Sequence, residues 1–261
     1  MGHMGIGGAE RVATTLIDAL VDRYDAVSLI NMSNAERDYF PLPDKLQHIH
    51  LNLERDANTY FDTFLNVTRR IRHVRQALQK EKPDLIISFT DRTNIITLLA
   101  TRNLNIPVIV SVHTHPFQNG FGLRMLCRGL YPHANLIHYV SQGVASAYPY
   151  IAVEKQSVIY NPISNLNRLT STQPAHLDPK SQHIISLGRL APEKGFDLLI
   201  SAFAQIHRDF PNWRLTIFGE GKERPMLESL ISNFSLNDKV YLMGSIDNPF
   251  SDLKEAEVFV Q

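Results

Sequence analysis

The strongest constraint on the fold is a series of short apolar segments that show no alternation of apolar and polar residues. In the first half of the chain these segments are AVSLI (26–30), LIISF (85–89), VIVSV (108–112), LIHYV (136–140) and SVIY (157–160). A segment with helical periodicity precedes them at 9–21, and others lie between several of them, such as 61–79 and 93–102. Continuous apolar strands joined by helices are typical of a parallel sheet with helices on both faces. The sequence therefore predicts an α/β fold.

The same pattern begins again after a polar stretch. Residues 162–182 are rich in Asn, Ser, Thr and Pro, which predicts a linker. Strands and helices then alternate, at 183–188, 196–209, 213–219, 222–234 and 239–244. We therefore expect two Rossmann-like domains that face each other across a cleft, residues 1–161 and 183–261. Both are expected to be incomplete, because no strand precedes the first glycine loop and the chain ends on the apolar segment AEVFVQ.

The composition excludes several classes of protein. The chain carries 26 Lys and Arg residues against 26 Asp and Glu residues, which gives no overall attraction for nucleic acid. Its single cysteine, Cys127, excludes a disulfide framework, is typical of a reducing compartment and is expected to pack within a helix. No apolar run approaches the roughly 20 residues that span a bilayer. We expect a globular cytoplasmic protein.

The first glycine loop is a candidate anion site. The stretch GIGGAER places Gly5, Gly7 and Gly8 directly before a predicted helix. Glycines let the backbone come close to a ligand, and a helix N-terminus offers free N–H groups to a phosphate. The spacing departs from G-x-G-x-x-G because Glu10 stands where the third glycine would be. The residues alone are compatible with a phosphate site and with a flexible chain start.

Two further loops follow predicted strands in the second half. In GRLAPEKG, Arg189 comes directly after a strand and Lys194 lies just before the next helix, with a glycine on each flank. Two such cations can clamp a diphosphate through charge-assisted hydrogen bonds, and the alternative is a pair of solvated surface charges. In FGEGKERPML, the residues Gly219, Glu220 and Gly221 follow the next strand. They can bring the backbone close to a nucleotide.

Taken together and in this order, GGAER, GRLAPEKG, IFGEGKERPMLE and VYLMGSIDN resemble glycosyltransferase family 4 along essentially the whole chain. Members of this family are retaining enzymes of the GT-B fold that use a nucleotide-activated sugar. The resemblance implies that glycines and two cations bind the donor diphosphate and that two later loops line its base and ribose. These donor-binding residues are Gly7, Gly8, Arg189, Lys194, Gly219, Glu220, Gly221, Ser245 and Ile246. It implies neither metal nor cofactor, because the two cations neutralise the leaving diphosphate.

The sequence departs from the family in two places. The strand that leads into the first glycine loop is missing, and so is a later pattern, P-S-x-x-E-G-F-G-x-x-x-x-E, whose glutamates contact the donor. We therefore interpret the chain as a fragment, truncated at both ends, that transfers little or no sugar alone. One alternative is a shortened, non-catalytic homologue that binds glycan lipid or partner subunits. Another is a GT-B epimerase of nucleotide sugars, which GGAER together with GRLAPEKG disfavours.

A histidine is the candidate catalytic residue. The segment VIVSVHTHP places His113 at the carboxyl end of a predicted strand, where ligand-binding residues collect in doubly wound sheets. A single histidine can equally be structural. The resemblance implies that His113 lies near the donor sugar, where its ring can hydrogen-bond a hydroxyl group. His115 receives no role.

The acceptor is predicted from a helix and from the loop that follows the next strand. Residues 61–82 have one apolar face, and their basic remainder includes Arg69, Arg72 and Arg75. Such a helix can lie on an anionic membrane or bind pyrophosphate, and the alternative is an ordinary helix docked on the sheet. The resemblance favours a polyprenyl-diphosphate-linked glycan as acceptor, with Thr90 and Asn94 placed to touch acceptor or donor.

The function predicted from these motifs is a retaining transfer in cell-surface polysaccharide or glycan assembly. The expected donor is a UDP-hexose or a UDP-N-acetylhexosamine, and the expected acceptor is a glycan or lipid-linked glycan. We expect the protein to work at the inner face of the cell membrane, in contact with its anionic surface.

Overall fold

The structure is a computed structural model that describes residues 1–5, 7–53, 60–162, 177, 181–246 and 249–261, without the side chains of 37, 60, 61, 63 and 64. The chain forms two compact units, Met1–Pro162 and Ile163–Gln261. Most of the predicted linker, 162–182, lies outside the described residues. The predicted domain boundaries therefore stay predictions.

The first unit alternates helices and strands over most of its described length. Their order is α1 (Gly8–Leu20), β1 (Ser28–Asn31), β2 (Gln47–His50), α2 (Tyr60–Glu81), β3 (Ile86–Phe89), α3 (Asp91–Ala100), β4 (Val108–Val112), α4 (Phe121–Leu130), β5 (Leu136–Tyr139), α5 (Gln142–Ser146) and β6 (Gln156–Val158). Strands β1 and β2 pair in parallel, and β3, β4, β5 and β6 form a second parallel sheet in that order. Each strand predicted here is present within two residues of its predicted bounds.

The core of the first unit explains why its strands lack alternation. Val108, Val110 and Val112 share one face of β4 and are buried, and Ser111 on the opposite face is buried as well. Both faces of this central strand are therefore covered. Burial of each valine side chain contributes roughly 1.5–3 kcal/mol. Cys127 of α4 packs in the same core, as predicted.

Several features of the first unit go beyond the sequence prediction. Strand β2, with the sequence QHIH, was not predicted because its polar residues outnumber its apolar ones. The helix expected around Cys127 is α4, whose bounds were not predicted because two glycines weaken its helical signal. The N-terminal residues Met1 and Met4 are buried together with Ile17 and Phe89. Burial against neighbouring elements, rather than local propensity, stabilises these segments.

The second unit contains one parallel sheet with the strand order β10-β7-β8-β9. Its elements are β7 (Gln182–Leu187), α6 (Phe196–Ile206), β8 (Trp213–Phe218), α7 (Arg224–Asn233), β9 (Val240–Gly244), α8 (Phe250–Glu255) and β10 (Val258–Phe259). The segment AEVFVQ supplies β10, which pairs with β7 at the edge of the sheet. The predicted α/β fold with parallel sheets is confirmed in both units.

Two helices pack on the central strand of the second unit. Leu215 and Ile217 of β8 are buried among Ile200 and Phe203 of α6 and Leu227 of α7. This core fixes the strand ends from which the candidate loops begin. In the described part of the chain, no helix combines the length and the apolar character that crossing a bilayer requires.

Candidate functional site

Three loops leave the carboxyl ends of adjacent strands in the second unit. The loop after β7 carries Arg189 and Lys194, the loop after β8 carries Gly219 to Gly221, and Ser245 and Ile246 directly follow β9. Because the three strands are parallel neighbours, these predicted donor-binding residues gather at one edge of the sheet. Their assignment to the donor stays a prediction.

The loop after β7 presents its two cations differently. Arg189 Nη2 donates to Glu193 Oε1 at 2.6 Å, and the arginine side chain is 71% exposed. The Lys194 methylene groups run along Gly188, with Cδ and Cε 3.6 Å from the point where a Gly188 Cβ would lie. Solvent-exposed ion pairs are weak, so an anionic ligand can displace Glu193 at little cost.

The structure itself requires glycine at two positions after β8. A Cβ on Gly219 would lie 1.8 Å from the Gly188 carbonyl oxygen, and a Cβ on Gly221 would lie 2.1 Å from that of Leu190. The two loops are joined by backbone bonds from Gly188 N to Phe218 O at 2.9 Å and from Leu190 N to Glu220 O at 3.0 Å. Close contact between the two loops therefore requires glycine here, whether or not a nucleotide approaches.

Glu220 takes part in an ion-pair network that was not predicted. Arg224 donates to both of its carboxylate oxygens, from Nη2 at 2.6 Å and from Nε at 2.9 Å, and its Nη1 donates to Glu228 at 3.1 Å. The hydrogen bonds from Arg224 lower the pKa of Glu220 and raise the pKa of Arg224. The spacing of 220, 224 and 228 is the sequence signal for such pairs. This network holds Glu220 as a carboxylate at the strand end.

In the first unit, His113 follows β4 and belongs to a hydrogen-bonded chain. Ser111 Oγ lies 2.9 Å from His113 Nε2 and 2.7 Å from His138 Nδ1, and His138 Nε2 lies 2.9 Å from the Ile159 carbonyl oxygen. A carbonyl can only accept, so His138 Nε2 carries a proton, and in the neutral ring its Nδ1 accepts from Ser111. Ser111 Oγ then accepts from His113 Nε2, which leaves Nδ1 as the acceptor of a neutral His113 ring.

The surroundings of His113 favour this neutral form. Burial, together with the neighbouring His138, lowers the pKa of His113 to about 4. The arrangement of Ser111 and His138 could not be read from the sequence, because 27 positions separate them. His115 lies apart from this chain: its Nδ1 accepts from the Phe117 N–H at the start of a short 3₁₀ turn.

The loop after β3 contains Thr90, which has the unusual backbone angle φ 69°. Such a conformation is costly for a β-branched residue and is often found at functional sites. Asn94 has a different environment, since it is completely buried and its amide donates to the Ser111 carbonyl at 3.0 Å and to the Tyr131 hydroxyl at 3.4 Å. Asp91 is buried beside it and accepts from Tyr131. The structure therefore gives Asn94 an internal role rather than a position on the surface.

Much of the basic helix α2 is packed against the rest of the first unit, as expected for an ordinary docked helix. Val74 and Leu78 are buried in the core, and Arg75 Nη1 donates to the carbonyls of Ala100 and Arg102 at the end of α3. Arg72 is exposed and Arg69 is half-buried. The predicted apolar face of residues 61–82 includes Phe61 and Phe64, whose side chains lie outside the described part of the chain. The acceptor role of the three arginines stays a prediction.

A second surface was not predicted. Four large apolar side chains around the start of α4 are exposed: Phe117, Phe121, Met125 and Leu126. Arg124 lies over two of them, with its guanidinium carbon 5.7 Å from the Phe117 ring centroid and 6.0 Å from that of Phe121. We call these five residues the α4 surface. Large exposed apolar patches mark binding sites for apolar partners.

Two family models match the chain. Residues 6–165 match the model described as Glycosyltransferase Family 4, and residues 168–261 match the model described as Glycosyl transferases group 1.

Two proteins of Campylobacter jejuni are among the chain's relatives. N-acetylgalactosamine-N,N'-diacetylbacillosaminyl-diphospho-undecaprenol 4-alpha-N-acetylgalactosaminyltransferase is 28% identical over 98% of this chain and 71% of its own length. GalNAc-alpha-(1->4)-GalNAc-alpha-(1->3)-diNAcBac-PP-undecaprenol alpha-1,4-N-acetyl-D-galactosaminyltransferase is 26% identical over 97% of this chain and 68% of its own length.

Solved structures share the fold. Sucrose-phosphate synthase from Thermosynechococcus elongatus matches with a TM-score of 0.79 and 18% identity, over 99% of this chain and 71% of the synthase. Anabaena HepE in complex with UDP and glucose matches with a TM-score of 0.69 and 17% identity, over 97% of this chain and 70% of HepE. These neighbours are GT-B glycosyltransferases, and the predicted fold class is therefore confirmed.

Proposed function

This chain belongs to glycosyltransferase family 4, and on that premise we propose that it transfers a sugar, with retention, from a uridine-diphosphate sugar to a polyprenyl-diphosphate-linked glycan. The observation that carries the proposal is the convergence of three loops at the carboxyl edge of the second-unit sheet. The names of the two Campylobacter relatives support both an N-acetylhexosamine as the sugar and a lipid diphosphate on the acceptor.

On the donor side, Arg189 and Lys194 hold the diphosphate. Arg189 exchanges its exposed partner Glu193 for a phosphate oxygen, and the ammonium of Lys194 adds a second positive charge. Both charges stabilise the leaving diphosphate as negative charge develops on it, which removes the need for a metal ion. The backbone at Gly219–Gly221 and at Ser245 contacts the nucleoside.

His113 orients the sugar. As a neutral ring that donates from Nε2 to Ser111, it offers Nδ1 as an acceptor for a sugar hydroxyl. A protonated ring would lose this acceptor. Ser111 and His138 act as positioning residues, because they fix the tautomer of His113 without touching the substrate.

The α4 surface supports a lipid-linked acceptor. Aromatic rings, apolar side chains and an arginine suit the boundary between acyl chains and anionic head groups. Arg124 lies over two of the rings, where it can meet a lipid phosphate. We therefore assign the contact with the membrane or with the polyprenyl chain to this surface.

Calorimetric titration of the 261-residue chain with UDP, GDP and ADP, with and without Mg²⁺, tests the donor site. We expect metal-independent binding of UDP, weakened at least about tenfold by Arg189→Ala or Lys194→Ala because each removes a charge-assisted contact. Arg214→Ala is the matched control: this arginine lies in the same unit, near the start of β8, and donates to the Pro211 carbonyl. An equal loss in all three variants, or no loss in the first two, contradicts the clamp.

A transfer assay tests the acceptor. The protein and UDP-N-acetylhexosamine are incubated with a synthetic polyprenyl-diphosphate glycan in one reaction. In a second reaction the acceptor is the same glycan without its lipid. With a longer chain that contains this one, we expect transfer to the lipid-linked form only, and a higher KM when Phe117 and Phe121 are both replaced by Ser. Equal use of the two acceptors contradicts the lipid-linked part of the proposal. Sugar transfer by neither this chain nor a longer one that contains it would favour a non-catalytic binding protein.

A further inference from the structure

A cluster of metal-ligand side chains lies in the first unit, apart from the loops described above. Asp38, His48 and His50 each present one ligand atom, and these atoms all lie within 4.8 Å of one another. Asp38 Oδ2 is 3.6 Å from His48 Nδ1 and 3.4 Å from His50 Nε2. The sequence prediction contained no metal site, because the strand that carries both histidines was not recognised.

The fold brings these residues together through strand periodicity and register. His48 and His50 are two positions apart in β2, so both side chains point to the same face. Asn31, the last residue of β1, pairs with His50 in the parallel register. Asp38 follows the short 3₁₀ turn Ala35–Arg37 and reaches the same point from the connection between the two strands.

We propose that Asp38, His48 and His50 bind a divalent transition-metal ion, with zinc as the best fit. Two imidazoles and one carboxylate form a ligand set of the kind found in catalytic zinc sites. In a tetrahedral site with bonds of about 2.0–2.1 Å, ligand atoms lie about 3.3 Å apart. The two measured separations, 3.4 and 3.6 Å, need only a small contraction to reach this value.

Asn31 provides an independent indication. It is completely buried, its Nδ2 lies 3.0 Å from His48 Nε2 and 3.4 Å from Asp38 Oδ1, and its Oδ1 has no hydrogen-bond partner among the described residues. When a metal binds His48 at Nδ1, the ring proton lies on Nε2 and needs an acceptor. A half-turn of the Asn31 amide supplies Oδ1 as this acceptor, in exchange for the 3.4 Å contact from Nδ2 to Asp38 Oδ1. Such outer contacts orient metal-bound histidines.

The site would join strand β2 to the connection that precedes it. The ligands span the segment from Asp38 to the end of β2, and β1 and β2 form a sheet of only two strands in the described part of the chain. A two-stranded sheet is marginal by itself, so a metal that joins β2 to its preceding connection adds stability. The ligand side chains are 17–20% exposed, which leaves a path for the ion and an open fourth position for water. This inference does not depend on the proposed function.

Zinc titration of the chelator-treated chain tests the proposal. We expect one Zn²⁺ per chain, with binding weakened more than about tenfold by Asp38→Asn and by His50→Gln, because each removes a ligand, and about tenfold by Asn31→Ala. His133→Gln is the matched control, since this histidine is exposed and lies in the same unit. Mg²⁺ should not compete, because imidazole ligands do not suit it.

Thermal unfolding followed by circular dichroism checks that the variants fold, and Asp38→Asn, which keeps the shape of the side chain, is the decisive one. Zn²⁺ should raise the Tm of the wild type and of His133→Gln but not that of Asp38→Asn. Visible spectra with Co²⁺ should show a low-coordinate site with nitrogen and oxygen ligands. The proposal is overturned if the wild type binds no stoichiometric zinc, or if Asp38→Asn and His50→Gln bind zinc as tightly as His133→Gln does.

Discussion

Replacement of Gly219 by alanine should destabilise the second unit far more than its size suggests. The new Cβ would lie 1.8 Å from the Gly188 carbonyl oxygen and 2.8 Å from the carbonyl carbon, whereas ordinary contacts begin near 3.4 Å. Relief requires the loop after β7 to move away. Such a movement breaks the backbone bonds from Gly188 to Phe218 and from Leu190 to Glu220.

The expected cost follows from these terms. Each lost backbone bond costs about 1 kcal/mol, and an alanine at φ 143°, the angle of Gly219, costs a further 1–3 kcal/mol or so. The free energy of unfolding of the second unit should therefore fall by about 3–5 kcal/mol. The displaced loop carries Arg189, so binding of UDP should weaken as well.

Urea unfolding followed by tryptophan fluorescence measures this change. Trp213 is the single tryptophan of the chain and begins β8, so its emission reports on the second unit. A loss of 3–5 kcal/mol should lower the midpoint by about 1 M or more. Gly188→Ala is the matched control, because its new Cβ meets only side-chain atoms, the nearest being Phe196 Cζ at 3.3 Å. Stabilities of the two variants within about 1 kcal/mol of each other would refute the steric argument.

Two further predictions concern titratable groups in the first unit. The pKa of His113 is lowered to about 4. Between about pH 6.5 and pH 4, the unfolded chain therefore binds a proton that the folded chain does not. As a result, the free energy of unfolding should fall as the pH falls, by up to about 3 kcal/mol. Urea midpoints at pH 7 and pH 4.5 should show a smaller difference for His113→Gln than for the wild type, and equal differences contradict the assignment. Burial raises the pKa of Cys127 to about 11, so a thiol reagent should modify it only after unfolding, and rapid labelling of the native chain would contradict its place in the core.

The fold class and most of the strands follow from the amino-acid sequence alone. VIVSV becomes β4 with the predicted bounds, because a buried strand of β-branched residues has a continuous apolar signal whatever surrounds it. The two cations after β7 were also found locally, since Arg189 lies two residues after the strand end and Lys194 two residues before the helix start.

Which distant residues come into contact depends on the tertiary structure. Ser111 and His138 are 27 positions apart and come together because β4 and β5 are neighbours in register, and His48 reaches Asn31 only through the pairing of β1 with β2. Glycine is likewise required after β8 because the neighbouring loop lies so close. No local sequence pattern reveals that contact. Periodicity along the chain reports burial, whereas hydrogen-bond partners and metal ligands depend on strand order and register, which packing of the whole unit fixes.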